Sequence, residues 1–142
     1  EVLIRRVQVL DEPRLALLLQ ARAAEVSGDT AAAERAYAGM LQNEDTEVLG
    51  RKGLMAAALK RGDRVAARAH AEAALKASKT ATWPFQYAFD LAVQQGDWEN
   101  AIETLDAGDK RKQIEDKVAK RRRAVLMSAQ AQKLERERRA DK

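Results

Sequence analysis

Three stretches decide the fold of this chain: AEVSGDTAAA (residues 24–33), ALKRGDRVAA (58–67) and AVQQGDWENA (92–101). Each centres on a Gly-Asp pair, and the glycines at 28, 62 and 96 stand 34 residues apart. Glycine after a helical run can take a positive φ, which stops the helix and turns the chain. The aspartate that follows can cap the next helix by accepting a bond from an unpaired backbone N–H. Alanine recurs four residues before each glycine (Ala24, Ala58, Ala92) and five after it (Ala33, Ala67, Ala101). Small residues on both sides of a turn let two antiparallel helices approach closely.

The same period extends outward. A bulky apolar residue precedes each glycine by thirteen positions (Leu15, Leu49, Trp83), and looser matches follow at Tyr37/Ala71/Leu105 and Met40/Ala74/Gly108. Between turns the apolar residues keep helical spacing: Leu15, Leu18, Leu19 and Val26, then Leu49, Met55 and Leu59, then Phe85, Phe89 and Val93. The spacing predicts helix pairs over 14–27/30–42, 47–61/64–77 and 81–95/98–107. A 34-residue helix–turn–helix repeat over 14–108 resembles the tetratricopeptide repeat. The likeness is partial: Leu17, Ala21 and Ala24 match part of the first-helix consensus, and its proline is absent at Asp45, Lys79 and Gln113. The expected fold class is all-α, a tetratricopeptide-like α-solenoid of about three units with a long C-terminal capping helix.

Composition agrees. The chain has 142 residues, 29 of them alanine, the best helix former, and only 4% aromatics. Without cysteine there is no disulfide framework, thiolate chemistry or Cys-based metal site, and a single histidine disfavours a His-rich metal centre. The net charge of +4 is unevenly placed: residues 1–108 carry 13 basic and 16 acidic side chains, residues 109–142 carry 13 and 6. No apolar run approaches the roughly 20 residues of a membrane span. The first residue is Glu1 rather than Met, so the chain is expected to be part of a longer protein.

Residues 1–13 (EVLIRRVQVLDEP) fit the second helix of a preceding unit ending at Pro13; the β-branched Val2, Ile4, Val7 and Val9 leave an edge strand as the alternative. Beyond Gly108 the period stops. A single helix is expected over 110–139, with residues 109–132 as a basic capping helix and 133–142 as a charged, frayed tail.

A helical-repeat surface suits a protein or peptide partner. The repeat geometry points Leu15, Leu18, Leu19, Arg22, Glu25 and Val26 of the first unit at a concave groove. Leu49, Lys52, Gly53, Ala56 and Lys60 follow from the second, and Trp83, Gln86, Tyr87, Asp90 and Gln94 from the third. For Leu15, Leu18 and Leu19, the other reading is burial beneath an upstream repeat. Phe85 and Phe89 read as core, Trp83 and Tyr87 as contact candidates. Lys117, Lys120, Arg121, Arg122 and Arg123 form a basic patch, open to three readings: anionic lipid, nucleic-acid phosphate, or the solvated face of the capping helix. Nucleic acid is disfavoured, because no aromatic residue is interleaved to stack on bases. His70, the single histidine, leaves axial haem ligation open, and no Cys-x-x-Cys-His attachment motif accompanies it. No nucleophile, base and oxyanion set is visible, so the chain reads as a non-enzyme with no required metal or cofactor.

A narrower likeness rests on Leu49-Gly50-x-x-Gly53-Leu54, Trp83-Pro84 and Gly96-Asp97-Trp98. Over residues ~13–125 the chain resembles the HemY-type repeat domain of proteobacteria. That resemblance implies an inner-membrane protein with N-terminal membrane helices and a cytoplasmic repeat domain, linked without catalysis to late haem biosynthesis. It carries over no haem-site residues, though it keeps a tetrapyrrole-binding module open as the alternative function.

Overall fold

The computed structural model describes the backbone of residues 2–141 and the side chains of 13–141. Among the described residues all regular structure is helical, in seven helices: α1 (Val2–Ser27), α2 (Thr30–Met40), α3 (Glu44–Lys60), α4 (Arg64–Ala77), α5 (Trp83–Gln94), α6 (Trp98–Lys110) and α7 (Asp116–Ala140). They fall into two compact units, Glu1–Ser78 and Lys79–Lys142. Within each, the substantial packing is between helices consecutive in the chain: α1 on α2, α2 on α3 and α3 on α4 in the first, α5 on α6 and α6 on α7 in the second.

The three Gly-Asp pairs make the same turn. Gly28, Gly62 and Gly96 have φ of +76°, +79° and +68°. The amides of Asp29, Asp63 and Asp97 donate back to the carbonyls of Ala24, Ala58 and Ala92 at 2.8–3.0 Å. Those of the glycines reach Glu25, Leu59 and Val93 at 3.0–3.2 Å. These are the paired bonds of a Schellman cap, which occupy carbonyls the helix end leaves open. Each aspartate then accepts from the amide three residues on, Ala32 and Ala66 at 3.0 Å and Asn100 at 3.3 Å. The alanines flanking the turns are buried, and Ala58, Ala67, Ala92 and Ala101 are 0% exposed. Any larger side chain there must push its hairpin apart.

The structure departs from the sequence reading in three places. Pro13 lies inside α1 instead of ending a separate helix, although residues 2–12 are helical as the leading reading has it and not the alternative strand. Proline forfeits one donor while fixing φ near the helical value, and the strong helix formers from Arg14 to Gln20 continue directly after it. The side chains of residues 1–12 lie outside the described ones. Second, the expected helix over 110–139 is broken: α6 runs to Lys110 and α7 starts at Asp116. The break is a fourth cap of the same kind, with Lys112 at φ +57° in the glycine's place. Its amide reaches Asp109 at 3.0 Å, and that of Gln113 reaches Gly108 at 2.9 Å. Third, α7 stays helical to Ala140 through the stretch expected to fray; Arg139 bonds Glu135 one turn back at 3.4 Å.

Three helical glycines act as sockets. A Cβ on Gly53 would lie 2.4 Å from the Tyr37 ring, and one on Gly50 would lie 2.6 Å from the Tyr37 carbonyl oxygen and 2.9 Å from the Met40 Cβ. In the second unit, a Cβ on Gly108 would lie 2.3 Å from the Phe85 ring. The two glycines of the Leu-Gly-x-x-Gly-Leu stretch therefore seat α2 on α3 through one tyrosine.

Candidate partner-binding surfaces

In the first unit, Ala21, Ala36 and Met40 form a small buried cluster, with Leu17, Leu18 and Tyr37 packed against it. Leu18 is half-buried there, whereas Arg22, Glu25, Lys52, Ala56 and Lys60 are exposed. Leu15, Leu19, Val26 and Leu49 are exposed large apolar residues, Val26 at 90%. Gly53 is half-buried because its face is filled by Tyr37. Glu25 is engaged within the unit: it accepts the Tyr37 hydroxyl, and its carboxylate lies 4.0 Å from Arg22. Burial, reinforced by this bond to a carboxylate, pushes the Tyr37 phenol up to about 12.

In the second unit the aromatics divide by face. Phe85 and Phe89 are buried and stacked, ring centroids 6.0 Å apart at 27°. Trp83 and Tyr87 meet edge-to-face at 6.4 Å and 66°, with Tyr87 exposed and Trp83 half-buried. Gln86 and Gln94 are exposed; half-buried Asp90 accepts a 3.3 Å bond from Gln86.

The basic run of α7 is likewise divided by helical geometry. Arg123 is half-buried and turned onto α6, its Nε 2.9 Å from Asp106 and its guanidinium 3.8 Å from Asp109. It is a packing residue. Asp109 also faces Asp116 at the start of α7; that shared hydrogen bond, with burial and repulsion between the two acids, raises the pKa of its carboxyl. Lys117, Lys120, Arg121 and Arg122 are exposed. Arg122 lies over the Phe89 ring, 5.3 Å from its centroid, within cation–π range. Between α5 and α7 runs an open groove of about 500 Å³, lined by Phe89, Asp90, Val93, Val118, Arg121, Arg122, Val125 and Leu126. In the sequence the basic run and the third-unit groove read as separate features. Continuing the 34-residue register one more step joins them, since Lys117, Lys120, Arg121 and Ala124 fall at the positions of Trp83, Gln86, Tyr87 and Asp90.

His70 is half-buried on α4, with its Nδ1 3.1 Å from an Arg51 guanidinium nitrogen. A guanidinium only donates, so Nδ1 is the acceptor and the ring proton sits on Nε2. Burial, then the charges of Arg51 and Arg61, lower its pKa. Metal-bound histidines instead donate their second nitrogen to a carboxylate or carbonyl, so this geometry does not favour iron ligation. Among the described residues, no group of three or more His, Asp or Glu side chains could hold a metal ion, and no helix is long and apolar enough to cross a membrane. Compared with known proteins, the chain matches no protein-family model and no curated protein, so its function is read from the surfaces just described.

Proposed function

We propose that this chain is a non-enzymatic protein–protein interaction scaffold, built as a tetratricopeptide-like α-solenoid that presents a partner groove on the first helix of each hairpin. The reading is carried by the threefold turn, in which Gly28, Gly62 and Gly96 adopt one backbone conformation followed by one capping bond. Repeated hairpins of this kind present long faces with little reactive chemistry, and such faces suit extended or helical partners. The groove residues are Leu18, Arg22, Glu25, Lys52, Ala56 and Lys60 in the first unit and, as a separate set, Trp83, Gln86, Tyr87 and Asp90 in the second. The likeness to the HemY-type domain extends the proposal to a membrane-anchored bacterial protein whose repeats lie on the cytoplasmic side of the inner membrane, linked to late haem biosynthesis.

The test is recovery of a partner by the chain from lysates of its source, followed by Lys52→Glu and Tyr87→Ala. Loss of one specific partner with both variants still folded supports the scaffold. Recovery unaffected by either variant, or no specific partner at all, refutes it. The tetrapyrrole alternative is tested by titrating the chain with haem; an unshifted Soret band removes it, as does a shift that His70→Ala leaves unchanged.

A further inference from the structure

The α5/α7 groove combines an apolar floor with a cationic α7 flank. Phe89, Val93, Val118 and Leu126 form the trough, and Val125 stands 68% exposed at its edge. Along the α7 side lie Arg121 and Arg122. Among the described residues neither has a carboxylate at ion-pair distance, in contrast to Arg123 on the packed face. Along the α5 side the one charged group is Asp90.

Resting on the scaffold reading, we infer that this groove receives an amphipathic helix of a partner protein, with carboxylates along its α7-facing flank and donors along the flank facing α5. Helix-in-groove recognition uses apolar anchors at i, i+3/i+4 and i+7. Val118 to Val125 spans seven residues, about 10 Å of helix, which matches two turns of such a partner. The Phe89 ring holds the Arg122 guanidinium in place before binding, so less side-chain freedom is lost when a carboxylate arrives. Asp90 repels a partner acidic on both flanks, which fixes the orientation.

Other polyanions fit the groove less well. A bilayer surface meets ridges, whereas Phe89 is only 7% exposed beneath Arg122. Phosphate backbones need no aliphatic floor, and the face of the one aromatic ring in the groove is covered by a guanidinium.

The probe is a fluorescein-labelled peptide of about 18 residues, long enough to hold a helix, with leucines at the anchor spacing, glutamates on one flank and lysines on the other. Fluorescence anisotropy against the full chain is expected to give saturable binding. Arg121→Glu/Arg122→Glu should weaken it by about tenfold or more, and Val125→Asp should weaken it too. Lys133→Glu, a charge reversal outside the groove, should leave it unchanged, with circular dichroism confirming that every variant is folded. Equal binding of a peptide with all its glutamates replaced by lysine overturns the inference, as does insensitivity to the double reversal. So does absence of saturation, or Arg121/Arg122-dependent binding of phosphatidylglycerol vesicles without peptide binding. If the peptide fails while a Lys52- and Tyr87-dependent partner is recovered, the scaffold stands and only this groove's occupant is wrong.

Discussion

Replacing Gly50 with alanine sets two opposed effects against each other. In an open helical position, Gly→Ala stabilises by about 1 kcal/mol, because alanine loses less backbone freedom. At Gly50 the added methyl would stand 2.6 Å from the Tyr37 carbonyl oxygen, 2.9 Å from the Met40 Cβ and 3.2 Å from a Leu41 methyl. The first two atoms cannot swing aside by a rotamer change, so α2 and α3 must separate, and overpacking of this kind costs about 3 kcal/mol at the upper end of its usual range. The net expectation is a loss of about 2 kcal/mol. With a urea dependence of about 2 kcal/mol per molar, the unfolding midpoint of the first unit falls by about 1 M. The assay is urea denaturation of the full chain, followed by far-UV circular dichroism and by the NMR ring resonances of Tyr37. Gly53→Ala is the internal comparison. There the obstacle is the Tyr37 ring, which can tilt away by giving up its bond to Glu25, so the stability loss should be smaller and the Tyr37 pKa should fall from about 12. A Gly50→Ala protein more stable than its parent would refute the close α2–α3 seam.

Other positions give independent tests. Lys112→Gly removes a left-handed conformation from a side chain that disfavours it, and should raise stability by about 1 kcal/mol in a thermal or urea melt. Asp29→Ala and Asp63→Ala each remove a helix cap and should cost about 1 kcal/mol, measured the same way. His70 should titrate below its ordinary value of 6.5 by NMR, and Arg51→Met should raise its midpoint. Because the folded pKa is depressed, the unfolded chain binds more protons between the two values. The His70 contribution to stability is therefore complete above pH 6.5 and declines as pH falls through that value towards the folded pKa; His70→Phe should flatten that part of the profile.

The helices were legible because their boundaries are written in local chemistry. Gly28, Gly62 and Gly96 need only their own backbone conformation to end a helix, and Asp29, Asp63 and Asp97 need only the next turn's amides to start one. The break at 111–115 was hidden because Lys112 occupies the left-handed position without glycine's signature; only the register betrays it, since Asp116 lies 34 residues after Thr82, next to the start of α5. The burial of Phe85 and Phe89 and the exposure of Tyr87 followed from helical spacing. Two features needed three dimensions. The role of Gly50 and Gly53 depends on which side chain lies opposite, and nothing in the sequence near them names Tyr37. The unequal fates of Arg121, Arg122 and Arg123 follow from a rotation of about 100° per residue, but only the position of α6 decides which of the three turns inward.

Because each helix of a unit packs chiefly on its neighbours along the chain, the loops closed during folding are short. Mostly local contacts of this kind let each unit collapse quickly. A partner seated between α5 and α7 would then do more than bind: it would bridge helices distant in the chain and add its own affinity to the lifetime of the folded unit.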